Sequence, residues 1–135
     1  MHRADLLDFA ADIDDAPIVW RWESMGKDVP PDLLPGTLDL LILKTLLRGP
    51  MHGYGIAQHL KTVSEDVLQV GESSLYPALQ RLLLSGCVKG EWGASENNRR
   101  ARFYTLTAAG RKRLSAEREE FDRLILAIHK VLATS

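Results

Sequence analysis

Three observations predict a mainly α fold with a small β-hairpin. The first is the stretch from Gly71 to Leu106, which reads as a short helix (Gly-Glu-Ser-Ser-Leu-Tyr-Pro-Ala-Leu-Gln-Arg-Leu) followed by a hairpin with cations at and just past its tip (Ser-Glu-Asn-Asn-Arg-Arg-Ala-Arg). The second is a pair of shorter apolar helices before it. The third is a final helix of about 25 residues with a heptad stripe. Helix, helix, helix, hairpin is the order of a winged helix-turn-helix domain, here expected to carry a long C-terminal dimerisation helix.

Each element follows from local chemistry. Pro35-Gly36-Thr37 offers a turn and an N-cap, and Leu38 to Leu47 is apolar on nearly all sides, as a central buried helix should be. Arg48-Gly49-Pro50 ends it. Met51-His52-Gly53-Tyr54-Gly55 reads as a turn, and a second helix follows to about Lys61 with Ile56 and Leu60 facing inward. Ser64-Glu65-Asp66 is polar and exposed, and Val67 to Val70 is a short apolar segment. The third helix is expected to take Ser73 as N-cap, with Pro77 in its first turn, where a missing N–H costs least. Leu75, Leu79, Leu82 and Leu83 form its inward stripe; Ser73, Pro77, Gln80, Arg81 and Leu84 fall on the outer side, with Tyr76 at the flank. Gly86 closes it. Cys87–Trp92 and Arg102–Leu106 then pair across Gly-Ala-Ser-Glu-Asn-Asn-Arg-Arg-Ala, a stretch rich in turn formers. Thr107 to Gly110 leads into the last helix. There Leu114, Phe121, Leu124, Ile125, Ile128, Val131 and Leu132 make a stripe that a helix cannot bury against itself, so a second copy of the chain is the simplest partner.

The chain has 135 residues, 45% of them hydrophobic and 26% charged, as expected of a globular protein. The domain organisation expected is an acidic extension over residues 1–33, a winged-helix domain over 34–107 and a dimerisation helix over 108–135. The formal net charge of −1 hides a segregation. Residues 1–33 hold three Lys and Arg against eight acids, a net of −5. Residues 34–114 hold eleven against six, a net of +5, and residues 115–135 three against four. A basic middle matters because of where its cations sit, not because of the sum.

In the leading segment, Leu6, Ala10 and Ile13 share a helical face, so a short acidic helix is one reading of residues 4–14. Pro17 and Pro30-Pro31 break the pattern, and Met25 is itself a candidate translation start. Residues 1–24 read either as a passive, non-native or disordered tail or as an acidic arm over the basic face; the passive reading is preferred. No signal-peptide core is present, and the apolar run Leu38–Leu47 is short for a bilayer and interrupted by Asp39 and Lys44, so a cytoplasmic protein is expected. The single cysteine, Cys87, excludes an internal disulfide and reads as a small buried hydrophobe.

Four groups of residues together resemble the PadR family of bacterial transcriptional regulators: Gly36-Thr37-Leu38, His52-Gly53-Tyr54, Ser74-Leu75-Tyr76-Pro77-Ala78-Leu79, and Tyr104-x-Leu106-Thr107-x-x-Gly110. The resemblance covers about residues 34–132, and the Leu-Tyr-Pro-Ala-Leu block is its most specific part. It implies a winged-helix homodimer on a palindromic double-stranded DNA operator, usually a repressor released by a small effector. It also implies that Ser73 to Ser85 is the recognition helix, that Arg99 to Arg102 belong to the wing, and that residues 108–132 form the dimerisation helix. Ser73 departs from the glycine that many members carry there.

The DNA-contacting residues expected are Ser73, Ser74, Tyr76, Pro77, Gln80 and Arg81 on the helix, and Asn98, Arg99, Arg100 and Arg102 on the wing. Gln80 is matched to adenine and Arg81 to guanine, Tyr76 presents its hydroxyl to a phosphate, and the wing grips phosphate. His2, His52, His59 and His129 show no ligand spacing, and there is no glycine-rich phosphate loop, so neither an enzyme nor a metal or cofactor is expected. Glu117, Glu119, Glu120 and Asp122 read as a solvated helix face. The rival readings are a winged helix used only for protein contact, its basic hairpin meeting an acidic partner, and a ligand sensor built around a dimer pocket. On the DNA reading, a chain starting at Met25 should bind duplex DNA with nearly unchanged affinity. A tenfold tightening on truncation, larger at low salt, would instead show the acidic arm shielding the basic face.

Overall fold

The computed structural model describes residues 36–135 apart from Asn97. The acidic helix, the Met25 start, the Pro35 turn and the side chain of Asn97 lie outside the described residues. The described chain holds four helices and a three-stranded antiparallel sheet: α1 Thr37–Leu46, β1 Met51–His52, α2 Gly53–Val63, α3 Glu72–Leu84, β2 Val88–Ala94, β3 Arg100–Leu106 and α4 Ala108–Leu132. This is the winged-helix arrangement. No helix among the described residues is long and apolar enough to cross a membrane.

α1 is the hub. Leu40, Ile42, Leu43 and Leu46 are buried in the core, while Leu38 and Leu41 pack at its edge. α2, α3 and α4 all lie against it. Its cap is Gly36, whose φ of 83° is left-handed and so suits a residue without Cβ. The core continues through Ile56, Leu75, Leu79, Leu82 and Tyr104, all fully buried. Truncating any of these leucines to alanine costs about 2–5 kcal/mol.

β1 is the first departure from expectation, since Met51-His52 is a strand and not a turn. Met51 pairs with Tyr104 and His52 with Phe103, giving the sheet the order β1-β3-β2. Two residues are too few for a period-2 pattern to register. His52 then does a second job. Its Nδ1 accepts from the Gly55 N–H at 3.0 Å and caps α2, while its ring meets Phe103 edge-on at 5.3 Å.

α3 departs at its start. The cap is Gly71, in extended backbone, and not Ser73; Ser73 lies exposed in the first turn. Pro77 therefore sits in the second turn and not the first. There it has no N–H for the helical bond to the Ser73 carbonyl, and it is tolerated on the outer face, where the ring meets solvent. The end of α3 is as expected. Gly86 at φ 77° lets its N–H reach Leu83 O at 3.1 Å and the Cys87 N–H reach Leu82 O at 3.0 Å, a Schellman closure.

The hairpin is longer than the alternation predicts. Val88 pairs with Leu106 at the base and Ala94 with Arg100 near the tip, beyond the Trp92 and Arg102 limits expected. At the tip the Ser95 N–H donates to Arg99 O at 2.8 Å and the Asn98 N–H to Ser95 O at 2.9 Å. Asn98 takes φ 59°, a conformation asparagine tolerates better than most residues.

α4 begins at a double cap. Thr107 Oγ1 accepts from the Gly110 N–H at 3.0 Å and donates to Gly86 O at 2.6 Å, tying the helix start to the end of α3. Gly110 packs so closely that a Cβ there would overlap the Cys87 carbonyl oxygen. Gly110→Ala is therefore expected to lower stability by about 1–3 kcal/mol, as overpacking does. A urea melt with an unchanged midpoint would show that this close approach is not needed. Leu114 corrects an expectation: it is 8% exposed and belongs to the chain's own core, because the first turns of α4 lie on α1. Phe121 also packs at the edge of that core.

Candidate nucleic-acid interface

The outer side of α3 carries Ser73, Pro77, Arg81 and Leu84, spaced three to four residues apart and all exposed, with Gln80 half-buried beside them. The opposite side holds Leu75, Ala78, Leu79 and Leu82 in the core. The sequence thus rests one face of α3 on α1 and leaves the other open. Gln80 presents an amide, the group that pairs bidentately with adenine. Pro77 and Leu84 are apolar and exposed, the chemistry that meets a thymine methyl; Leu84 is 87% exposed.

Two helix residues do not lie as expected. Tyr76 packs against the core and its hydroxyl oxygen is buried, so it does not present that hydroxyl outward to a phosphate. The Arg81 side chain is 58% exposed, but its guanidinium is committed to Asp39 on α1. Nη2 donates to Oδ1 at 2.7 Å and Nε to Oδ2 at 3.4 Å. The free guanidinium aimed at guanine is replaced by an intramolecular fork, because a buried carboxylate demands a cation. Ser74 is half-buried in the first turn.

The wing splits in the same way. Asn98, Arg99 and Arg100 are exposed at and beside the tip. Arg100 lies over the Trp92 ring at 4.1 Å from its centroid, a cation–π contact that steadies the cation while leaving it in solvent. Arg102 instead folds across the sheet. Its Nε is buried, and its guanidinium lies over Gly90, where a Cβ would have to push it aside. Arg102 therefore does not extend from the wing as expected. Burial holds the Tyr54 phenol above its ordinary pKa, and the negative charge of Glu96 adds to the shift. Burial, helped by Arg48, lowers the pKa of His59, so this histidine carries less positive charge near neutral pH than an ordinary one.

Sequence reasoning missed Trp92 as the platform for Arg100, and Asp39 as the partner of Arg81. Arg113 on α4 also reaches Asp39, at 3.5 Å. The available signal was a lone acid in an apolar helix, which by sequence reads only as an interruption.

The last stripe divides. Leu124, Ile128, Val131 and Leu132 are exposed by 46%, 36%, 71% and 74%, and Ile125 is half-buried. A groove of about 360 Å³ runs between the start of α1 and α4, lined by Leu40, Phe121 and Leu124 together with Glu117 and Glu120.

Residues 42–116 match the Transcriptional regulator PadR-like family. A transcriptional regulator from Clostridium thermocellum is similar in structure, with 30% identity and a TM-score of 0.64 over 70% of this chain and 92% of that one. A PadR family transcription regulator from Clostridium difficile is 28% identical, with a TM-score of 0.61 over 73% of this chain and all of that one. An uncharacterized protein from Lysinibacillus sphaericus is 29% identical over 62% of this chain and 77% of its own length.

Proposed function

Because this chain belongs to the PadR-like family of transcriptional regulators, we propose that it binds a palindromic double-stranded DNA operator as a homodimer, as a repressor released by a small effector. The observation that carries the DNA reading is the open face of α3 standing with the Arg99–Arg100 wing on one fold. The helix offers Ser73, Pro77, Gln80 and Leu84 to base edges, and Asn98, Arg99 and Arg100 offer hydrogen bonds and charge to phosphate. Ser74 contributes at the helix start, where backbone N–H groups favour an anion.

Dimerisation is supported by the exposed apolar half of α4. A run of exposed apolar side chains on one helix calls for a covering surface. Leu124, Ile125, Ile128, Val131 and Leu132 form the proposed contact, with Phe121 at its inner edge. Release by an effector is supported by position: the groove beside α1 shares Phe121 and Leu124 with this stripe, so a molecule filling it acts on the dimer contact.

Selection of duplexes from a random-sequence pool tests the reading. Enrichment of a palindromic sequence, bound far more tightly than random duplex and with steep salt dependence, is the expected result. Equal, weak binding to every duplex would favour a protein-contact module instead.

A further inference from the structure

Asp39 sits in the first turn of α1 with its side chain only 6% exposed. Two arginines from two different helices hold it. Arg81 of α3 grips both carboxylate oxygens, and Arg113 of α4 reaches Oδ2 at 3.5 Å. Arg113 is itself anchored: its Nε donates to Glu117 Oε2 at 2.7 Å and its Nη1 to Cys87 Sγ at 3.7 Å. One carboxylate thus joins α1, α3 and α4.

We infer that Asp39 is a positioning residue for DNA reading: through Arg81 it sets the rotation of α3 about its own axis, and through Arg113 it ties that rotation to α4. The inference rests on the proposed DNA function. Its physical basis is a difference in directionality. The stripe of Leu75, Ala78, Leu79 and Leu82 attracts α3 to the core, but apolar burial is non-directional and tolerates a small roll. A planar guanidinium on a carboxylate is not tolerant, because its donors are fixed in one plane. Side chains reach about 5–6 Å from a helix axis, so a roll of about 10° moves the Gln80 amide about 1 Å. That displacement is enough to spoil a bidentate base contact. Arg81 therefore serves specificity without reading a base.

The test uses the full chain and two probes: the duplex it enriches from a random pool, and a random-sequence duplex. Asp39→Asn keeps the shape and removes one negative charge. Charge alone predicts equal or tighter binding to both probes. The clamp predicts that the ratio of affinities falls at least tenfold while random-duplex binding holds. Arg81→Met should lower the ratio similarly, and the double variant should fall no further, because both changes break one interaction. Arg81→Lys keeps the charge but loses the fork, and should not rescue the ratio. The Arg81 side chain is 58% exposed against 6% for Asp39, so this variant tests the idea even if Asp39→Asn folds poorly. An Asp39→Asn protein that keeps its ratio within twofold while Arg81→Met loses it would make Arg81 an independent base reader and overturn the clamp. Retention of the ratio by Arg81→Lys would do the same. Hydrogen exchange gives an arm without DNA: the α3 amides should exchange faster in Asp39→Asn and Arg81→Met, and unchanged exchange overturns the clamp. Failure of the unaltered chain to enrich any duplex would overturn the DNA function, while the exchange arm would still decide the clamp.

Discussion

Aspartate at both Leu124 and Ile128 is expected to leave the chain monomeric at micromolar concentration and to abolish tight operator binding. Both side chains lie on the outer half of α4, where 46% and 36% of their surfaces are exposed in the single chain. Two charges buried against a partner helix carry a cost that exposed apolar contacts cannot offset. A monomer engages one half-site at a time and loses the effective concentration that links two readers, a factor of about 10²–10⁴ in affinity. Random duplex, which needs no half-site spacing, should lose far less. Phe121→Asp should also split the dimer, but Phe121 packs on the chain's own core, so that variant mixes instability with dissociation. Sedimentation and operator titration on the same samples separate the two. If the unaltered chain sediments as a monomer at micromolar concentration, the dimer proposal fails.

The second large effect is a division of labour between wing and helix. Arg99→Ala with Arg100→Ala should weaken operator and random DNA alike. It should also lower the slope of log affinity against log salt by about 0.9 for each phosphate no longer neutralised. The two arginines stand at an exposed tip, where charge reaches phosphate readily but base-reading geometry is hard to hold. Gln80→Ala should cost about 1–3 kcal/mol on the operator and little on random DNA, because α3 is rigidly seated and an amide pairing with adenine is specific. Titrations of both DNAs at several salt concentrations decide the matter. A wing variant that loses discrimination, with a Gln80→Ala variant that keeps it, would reverse the assignment.

Much of the fold was legible because its signals are local. The glycine that closes α3, the heptad run of α4, the inward leucines and the basic turn each depend on residues within a few positions of one another. The same reasoning explains the misses. Ser73 resembles a cap because serine caps well, but the chain turns into the helix at Gly71, in extended backbone. Met51-His52 resembles a turn because its partner is β3, some fifty residues later. The wing reads short because Gly93, Ala94, Arg100 and Ala101 carry little strand preference, and pairing extends over them regardless.

The sequence by itself determined the helix order, the buried and open faces of α3, the cation-bearing hairpin and the amphipathic last helix. All of these follow from periodicity, turn residues and charge placement along the chain. Only the tertiary structure decided which polar side chains remain available. Arg81 and Arg102 look alike in sequence to Arg99 and Arg100, yet one is held by Asp39 and the other lies over Gly90. Tyr76 turns its hydroxyl inward, and Leu114 joins its own core. The reason is physical. A side chain's availability is set by the groups that surround it in space, and the carboxylate that claims Arg81 lies 42 residues away. No local pattern carries that pairing; it exists only once α1 and α3 have packed.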